Sequence, residues 1–294
     1  MKTLTLTAIL ALVIMLGAAT STQAKLIIYE PFNYAWGANN LDCDGGLNGG
    51  NGLPYDNTGG TPAGSGTGLR NTWGSSMYAS NGLTYSTLIC SNYGGFETVS
   101  GWGTANVYSY RDMTTNPYLS YRIDRNAWGA PGTTLWLSFL LRCSATNQNA
   151  RLNISGINGQ NTYIGFSGTD GKLSILRTHE VKANYGSVVG SPDTTLLVTR
   201  WDFGTVGSSS SNVVSLWVNP TLGVTPSGAP DSYVSASTNM NILYYSTRTS
   251  AANILEFDEL RIGETYADVT PFVVPEPALL GVLALGGLLL RRRA

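Results

Sequence analysis

Residues 135–142 read Leu-Trp-Leu-Ser-Phe-Leu-Leu-Arg, and this stretch decides the fold class. Leu135, Leu137, Phe139 and Leu141 stand at every second position, so an extended strand places all four side chains on one face. That face should be buried, because four large apolar side chains gain free energy by leaving water. The stretch therefore predicts a β-strand that packs one face against a core.

Further segments with strand character lie on both sides of this strand. They are residues 26–34, 105–111, 118–123, 151–155, 163–166, 172–177, 195–203, 212–219 and 253–262. The turn Gly168-Thr169-Asp170-Gly171 predicts a hairpin between residues 163–166 and 172–177. No window of eleven residues between 25 and 272 has helical periodicity. Strands at this spacing, separated by turn residues, are typical of an all-β sandwich or barrel.

The N-terminal segment has the pattern of a secretory signal peptide. Lys2 is followed by the apolar residues 8–19 and by the small-x-small sequence Thr22-Gln23-Ala24. We assign residues 1–24 to a signal helix that is cut between Ala24 and Lys25. The chain is therefore expected to leave the cytoplasm through the Sec export machinery.

The C-terminal segment has three parts in order. Pro275-Glu276-Pro277 precedes the apolar run 278–290, which Arg291, Arg292 and Arg293 follow. A thirteen-residue helix rises roughly 20 Å, whereas the hydrocarbon core of a bilayer is roughly 30 Å thick. The run is thus a short hydrophobic helix that suits a transient stay in a membrane. The arginines favour the cytoplasmic side, which leaves the preceding domain outside.

These three parts resemble the PEP-CTERM sorting signal of certain exported bacterial proteins. The resemblance implies recognition by a membrane-embedded exosortase, removal of the tail, and delivery to the cell surface or extracellular matrix. An ordinary tail-anchor helix is the alternative. On this reading residues 273–294 are the sorting signal, and residues 25–272 form one domain.

Composition and charge exclude an electrostatic nucleic-acid binder. Without Lys2, Glu276 and the three terminal arginines, residues 25–274 hold 13 basic and 17 acidic side chains, a net charge of about −4. Nucleic-acid binders instead present a basic patch or stripe. Charged residues make up 12% of the chain, well below the roughly 25% of a typical soluble domain. The low charge fits a secreted, turn-rich β protein.

Cysteine and metal chemistry are sparse. Cys43, Cys90 and Cys143 are widely separated and odd in number, so the sequence leaves open one disulfide with a leftover thiol or three unpaired thiols. Asp42-Cys43-Asp44-Gly45 begins like a calcium loop but lacks the further oxygen ligands and the closing Glu. We therefore expect no cofactor and no metal site, with calcium at this loop as the alternative.

Three segments together resemble exported proteins with a concanavalin A-like, laminin G-type jelly roll. They are Tyr29-Glu30-Pro31-Phe32-Asn33-Tyr34 with the Gly-rich residues 45–52, residues 135–142, and Phe257-Asp258-Glu259-Leu260-Arg261-Ile262-Gly263. The resemblance implies an antiparallel β-sandwich with two face-to-face sheets. Carbohydrate binding is a common use of such a fold, and glycan hydrolysis a rarer one.

The catalytic candidates are Glu256 and Asp258, which stand two residues apart on one strand face. The pair resembles the E-x-D start of the retaining glucanase motif of jelly-roll hydrolases. In that family a further Glu follows where this chain has Leu260, and Glu259 is predicted on the opposite face. Retaining hydrolysis needs two carboxyls flanking the bond. Because this chain lacks the last carboxylate of the motif, we predict no enzymatic activity. A hydrolase that uses Glu256 and Asp258 is the alternative.

Trp73, Trp102 and Trp217 are the candidate ligand contacts. The first two lie in Gly-rich sequence, and Trp217 lies on the strand face opposite Val214, Leu216 and Val218. Aromatic rings stack against the apolar face of a pyranose, although they also complete cores. We expect a non-enzymatic surface or matrix protein that binds polysaccharide or has a structural role.

Deleting Pro275 to Ala294 should leave the domain folded and soluble but misdirect it, because the tail is a sorting signal and not part of the fold. Circular dichroism of the truncated protein and fractionation of the producing cells would measure the two effects. Unfolding of the truncated protein would contradict this division of the chain.

Overall fold

The computed structural model describes about half of residues 25–272 and neither end of the chain. The described residues are 26–30, 78–79, 82–90, 96–99, 107–112, 128–143, 150–156, 161–166, 172–177, 193–204, 212–236, 242, 244–249 and 254–272. The signal peptide, the C-terminal sorting segment, the predicted strand 118–123 and the Asp42–Gly45 loop lie outside them. No helix in the described ranges has both the length and the apolar character that crossing a membrane requires.

The described residues form antiparallel strands and one short helix. The strands are β1 (Leu26–Glu30), β2 (Tyr78–Ala79), β3 (Phe96–Val99), β4 (Val107–Asp112), β5 (Thr134–Cys143), β6 (Ala150–Ser155), β7 (Asn161–Phe166), β8 (Leu173–Arg177), β9 (Thr195–Asp202), β10 (Asn212–Val218), β11 (Ser232–Ala236), β12 (Tyr244–Thr249) and β13 (Ile254–Gly263). The helix α1 spans Tyr266–Val269.

The strands make two sheets. The larger has eight strands in the order β11-β10-β9-β5-β13-β3-β2, with β1 also paired to β13. The smaller has five strands in the order β4-β12-β6-β7-β8. The predicted hairpin is present, since β7 pairs with β8. The next two strands along the chain, β9 and β10, also pair with each other. The predicted antiparallel β-sandwich is thus confirmed.

The main core lies between the two sheets. Leu135, Leu137, Phe139 and Leu141 of β5 are all buried in it, as their spacing predicted. Phe139 stacks on Phe257 of β13 with ring centroids 4.8 Å apart. The smaller sheet contributes Leu152, Ile154, Ile164, Phe166, Leu173 and Ile175. Burial of these side chains is the main force that holds the sheets face to face.

A second apolar cluster, which we call the outer cluster, covers part of the other side of the larger sheet. Its sheet residues are Trp136, Leu140, Leu196 and Val198. Leu83 and Leu88 of residues 82–90, the strap, pack on it together with Tyr266 and Val269 of α1. Thr265 and Asp268 cap α1 reciprocally, and Ser138 Oγ donates to Val269 O at 2.6 Å. The larger sheet is therefore covered on both sides near β5 and β13.

A β-bulge interrupts β13 opposite β5. Asp258 pairs with Leu140 and Arg261 with Ser138, so Glu259 and Leu260 together oppose one residue. Glu259 has a left-handed φ of 55°, which adds the extra residue without breaking the strand. Leu255 and Phe257 face the core before the bulge, and Leu260 and Ile262 face it afterwards.

Cys90 and Cys143 do not form a disulfide with each other. Cys90, in the strap, is a half-buried free thiol, and Cys143 is buried in the main core. Cys43 lies outside the described residues.

Phe139→Ala should lower the free energy of unfolding by about 3–5 kcal/mol, because it removes a stacked ring and leaves a cavity between the sheets. Val224→Ala is the control, since Val224 is 62% exposed and should change stability by less than about 0.5 kcal/mol. Urea denaturation of both variants measures the difference. Equal effects would contradict the assigned core.

Candidate functional site

Glu256 is held in an ion pair. Its two carboxylate oxygens accept hydrogen bonds from Nε and Nη2 of Arg142, the register partner of Glu256 on β5. The Arg142 side chain is 42% exposed and that of Glu256 16%. A forked pair of this kind satisfies both oxygens and fixes the carboxylate against the sheet.

Asp258 has no exposed surface at all. Its Oδ2 accepts from Leu83 N of the strap at 2.8 Å, and its Oδ1 accepts from Glu259 N at 2.7 Å. Burial and the neighbouring Glu259 carboxylate raise the pKa of Asp258 to about 8. A polysaccharide cannot reach this carboxyl in the observed conformation, so Glu256 and Asp258 do not form the accessible pair that retaining hydrolysis needs.

Glu259 lies on the same side of the sheet as Asp258, so the sequence-based prediction of the opposite face was wrong. The left-handed residue at the bulge breaks the alternation on which that prediction rested. Glu259 Oε2 is 2.5 Å from Nη2 of Arg261. Arg261 also donates to Ile89 O at the far end of the strap and lies over the ring of Tyr29 at 4.9 Å.

The strap is therefore clamped at both ends by β13. Asp258 accepts a hydrogen bond from Leu83 N near the start of the strap, and Arg261 donates one to Ile89 O near its end. The buried carboxyl groups of Asp258 and Glu259 lie near a single guanidinium, that of Arg261. If both carboxyl groups were ionised, these three residues would carry an excess negative charge in a poorly solvated place. Burial raises the pKa of Cys90 to about 11, and the charge of Glu259 contributes a smaller part of this increase. The same two causes raise the pKa of Tyr29.

Trp217 lies on the outer face of the larger sheet, on the side opposite Val214 and Leu216 as predicted. It stacks on Trp136 with centroids 5.6 Å apart and is only partly exposed. Trp136 in turn meets the edge of Tyr266 at 5.5 Å. Trp217 therefore completes the outer cluster and leaves only part of its surface for a ligand. Trp73 and Trp102 lie outside the described residues.

A set of polar side chains that the sequence did not single out occupies the outer face of the smaller sheet. We call it the polar face. Its residues are Arg151, Asn153 and Ser155 of β6, Asn161 and Tyr163 of β7, and Ser174 of β8. They alternate with the core residues Leu152, Ile154, Ile164 and Ile175, so they lie on the side of the sheet away from the main core.

Hydrogen bonds and one cation–π contact connect the polar face. Ser155 Oγ donates to Asn161 Oδ1 at 2.6 Å, and Asn153 Nδ2 donates to Ser155 Oγ at 3.4 Å. Asn161 Nδ2 donates to the hydroxyl oxygen of Tyr163 at 3.4 Å. The guanidinium carbon of Arg151 stands 4.2 Å from the centre of the Tyr163 ring. These contacts orient amide, hydroxyl and guanidinium groups on a rigid sheet.

Ser174 lies across Gly165 from Arg151 in the register of the smaller sheet. Gly165 has a φ of 137°, and a Cβ there would stand 2.5 Å from Ala150 O, so only glycine fits. No side chain therefore separates Arg151 from Ser174. Ser174 is buried, and its Oγ has no hydrogen-bond partner.

β12 and β4 continue the smaller sheet beyond β6. Ser246 and Arg248 of β12 are the Cα partners of Asn153 and Arg151. Tyr110 and Tyr108 of β4 are in turn the partners of Ser246 and Arg248. The sequence alone could not assemble the polar face, because its residues come from three separate strands. Among the described residues, no group of three or more His, Cys, Asp or Glu side chains is placed to hold a metal ion.

No protein-family model matches this sequence, and a search among characterised proteins finds no match. Solved structures with a similar chain path include the globular domain of T. cruzi calreticulin, with 10% identity, a TM-score of 0.38, and coverage of 66% of this chain and 86% of that one. The PL-14 alginate lyase from Aplysia kurodai has 8% identity and a TM-score of 0.41, with 65% and 87% covered. The Bauhinia forficata lectin in complex with GalNAc has 8% identity and a TM-score of 0.33, with 65% and 93% covered. No activity or ligand is assigned to this chain from likenesses at that level.

The buried Asp258 should make stability fall as pH rises. In the folded protein its pKa is about 8, against an ordinary value of 3.8, so the folded state keeps a proton that the unfolded state releases between these values. Stability is full below about pH 4 and declines towards pH 8, by at most about 1.4 kcal/mol per pH unit. Asp258→Asn should remove this slope from chemical-denaturation curves measured between pH 4 and 8. A slope equal to that of the wild type would show that Asp258 is ionised throughout.

Proposed function

We propose that this protein is an exported, non-enzymatic polysaccharide-binding protein that holds its ligand on the polar face. The observation that carries the proposal is the combination found there of the Arg151–Tyr163 stack and the connected amide and hydroxyl groups. Export and delivery to the cell surface or matrix are supported by the two terminal segments of the sequence, with the Sec machinery and an exosortase as partners.

The chemistry of the polar face suits a sugar chain. Arg151, Asn161 and Tyr163 are its partly exposed residues. The amide of Asn161 and the hydroxyl of Tyr163 offer both donors and acceptors, with which sugar hydroxyls can pair. The guanidinium of Arg151 presents a rigid fork that matches vicinal oxygens. Because these groups stand on neighbouring strands about 4.8 Å apart, they contact successive parts of an extended ligand.

The hydrolase alternative gains no support from the acid pair. Asp258 is buried under the strap and both its oxygens accept backbone hydrogen bonds. Glu256 is occupied by Arg142. The non-enzymatic role thus remains part of the proposal.

Arg151→Gln should weaken polysaccharide binding by about 5- to 30-fold, equivalent to about 1–2 kcal/mol, because it removes the forked donor and its stack on Tyr163. Affinity electrophoresis of the secreted protein in gels that contain neutral or uronic-acid polysaccharides, including that of the producing cell, measures the effect. Arg142→Gln is the matched control, since it removes an arginine from the other sheet and should bind like the wild type.

Two results would contradict the proposal. Retardation of the wild type by none of the polysaccharides would remove the binding role, and equal retardation of Arg151→Gln and the wild type would remove the polar face as the site. Release of reducing sugar by the wild type but not by Glu256→Gln would instead establish the hydrolase.

A further inference from the structure

The outer face of the larger sheet is open beyond the outer cluster. Arg200 on β9 and Tyr233 on β11 are exposed, Tyr233 at 45%, and Ser215 on β10 is partly exposed between them. The strap and α1 cover the neighbouring strands β5 and β13 instead. A ligand therefore has access to β9, β10 and β11 from this side.

Four of these outward residues form one line across the strands, which we call the aromatic row. Register pairs Trp136 with Arg200, Arg200 with Ser215, and Ser215 with Tyr233. Two strand spacings separate Arg200 from Tyr233, a distance of roughly 10 Å. That distance is about the length of two linked pyranose units.

Arg200 is fixed in the middle of the row. Its guanidinium lies 5.9 Å from the centre of the Trp136 ring and pairs with Asp202 Oδ1, with Nη2 at 2.9 Å and Nε at 3.0 Å. Thr134 Oγ1 donates to the same oxygen at 2.8 Å. Three donors thus converge on Oδ1, and no described residue donates to Oδ2, so this second oxygen is available to a hydroxyl of a ligand.

The ion pair between Arg200 and Asp202 favours a neutral ligand over an anionic one. Arg200 and Asp202 neutralise each other, so an anionic chain such as a nucleic acid gains little net attraction here. A guanidinium beside a carboxylate instead supplies donors and an acceptor for neighbouring hydroxyl groups. Tyr233 supplies an exposed ring of the kind that stacks on apolar faces.

We propose that the aromatic row is a second saccharide-binding surface, which takes a neutral oligosaccharide laid across β9, β10 and β11 with one unit stacked on Tyr233. It lies on the opposite side of the sandwich from the polar face. One molecule would then hold two glycan chains, and only this bridging role rests on the proposed function of the polar face.

The test uses the secreted protein and neutral hexasaccharides of the cello-, malto-, xylo- and laminari- series. Wild type should bind at least one of them in isothermal titration calorimetry, and Tyr233→Ala should weaken that binding at least tenfold because the stacking ring is lost. Tyr233→Phe keeps the ring and should bind within about threefold of the wild type. Circular dichroism verifies that each variant is folded.

Arg151→Gln separates the two surfaces. If the aromatic row binds independently, this variant keeps its hexasaccharide affinity, even if the polar face proves to bind nothing. Absence of binding to all four hexasaccharides, unchanged affinity in Tyr233→Ala, or loss of binding in Arg151→Gln but not in Tyr233→Ala would each overturn the second surface.

Discussion

The bulge at Glu259 is the constraint on which the larger sheet depends. It changes which residues of β13 face the core, so that Leu255 and Phe257 pack inward on one side of it and Leu260 and Ile262 on the other. The same shift brings Asp258, Glu259 and Arg261 together on the outer side. There they clamp the strap, and the strap covers the outer cluster. A residue with a left-handed φ that is not glycine costs some free energy, which the buried contacts on both sides offset.

Period-two alternation was enough to predict the sandwich and the inward face of β5, because a strand with one buried face has an apolar residue at every second position. The alternation did not predict the face on which Glu259 lies, since the position of a β-bulge depends on pairing with the neighbouring strand. It also overlooked β11 and β12, which are short and rich in Ser, Thr and Tyr. Their strand character follows from pairing with β10, β4 and β6, and such pairing is a property of the folded sheet.

The candidate site was less accessible to sequence reasoning than the fold. Trp217 was placed on the correct strand face, but its neighbours Trp136 and Tyr266 come from distant segments and occupy much of its surface. The polar face and the aromatic row likewise combine residues from several strands. Each is ordinary in its own segment, and only the register shows that the side chains lie side by side.

The position of Cys90 has a consequence for redox chemistry. A thiol with a pKa of about 11 is ionised in about one molecule in ten thousand at neutral pH, and only the thiolate attacks oxidants and disulfides. The strap thus keeps a reduced sulfur slow to react even in an oxidising medium.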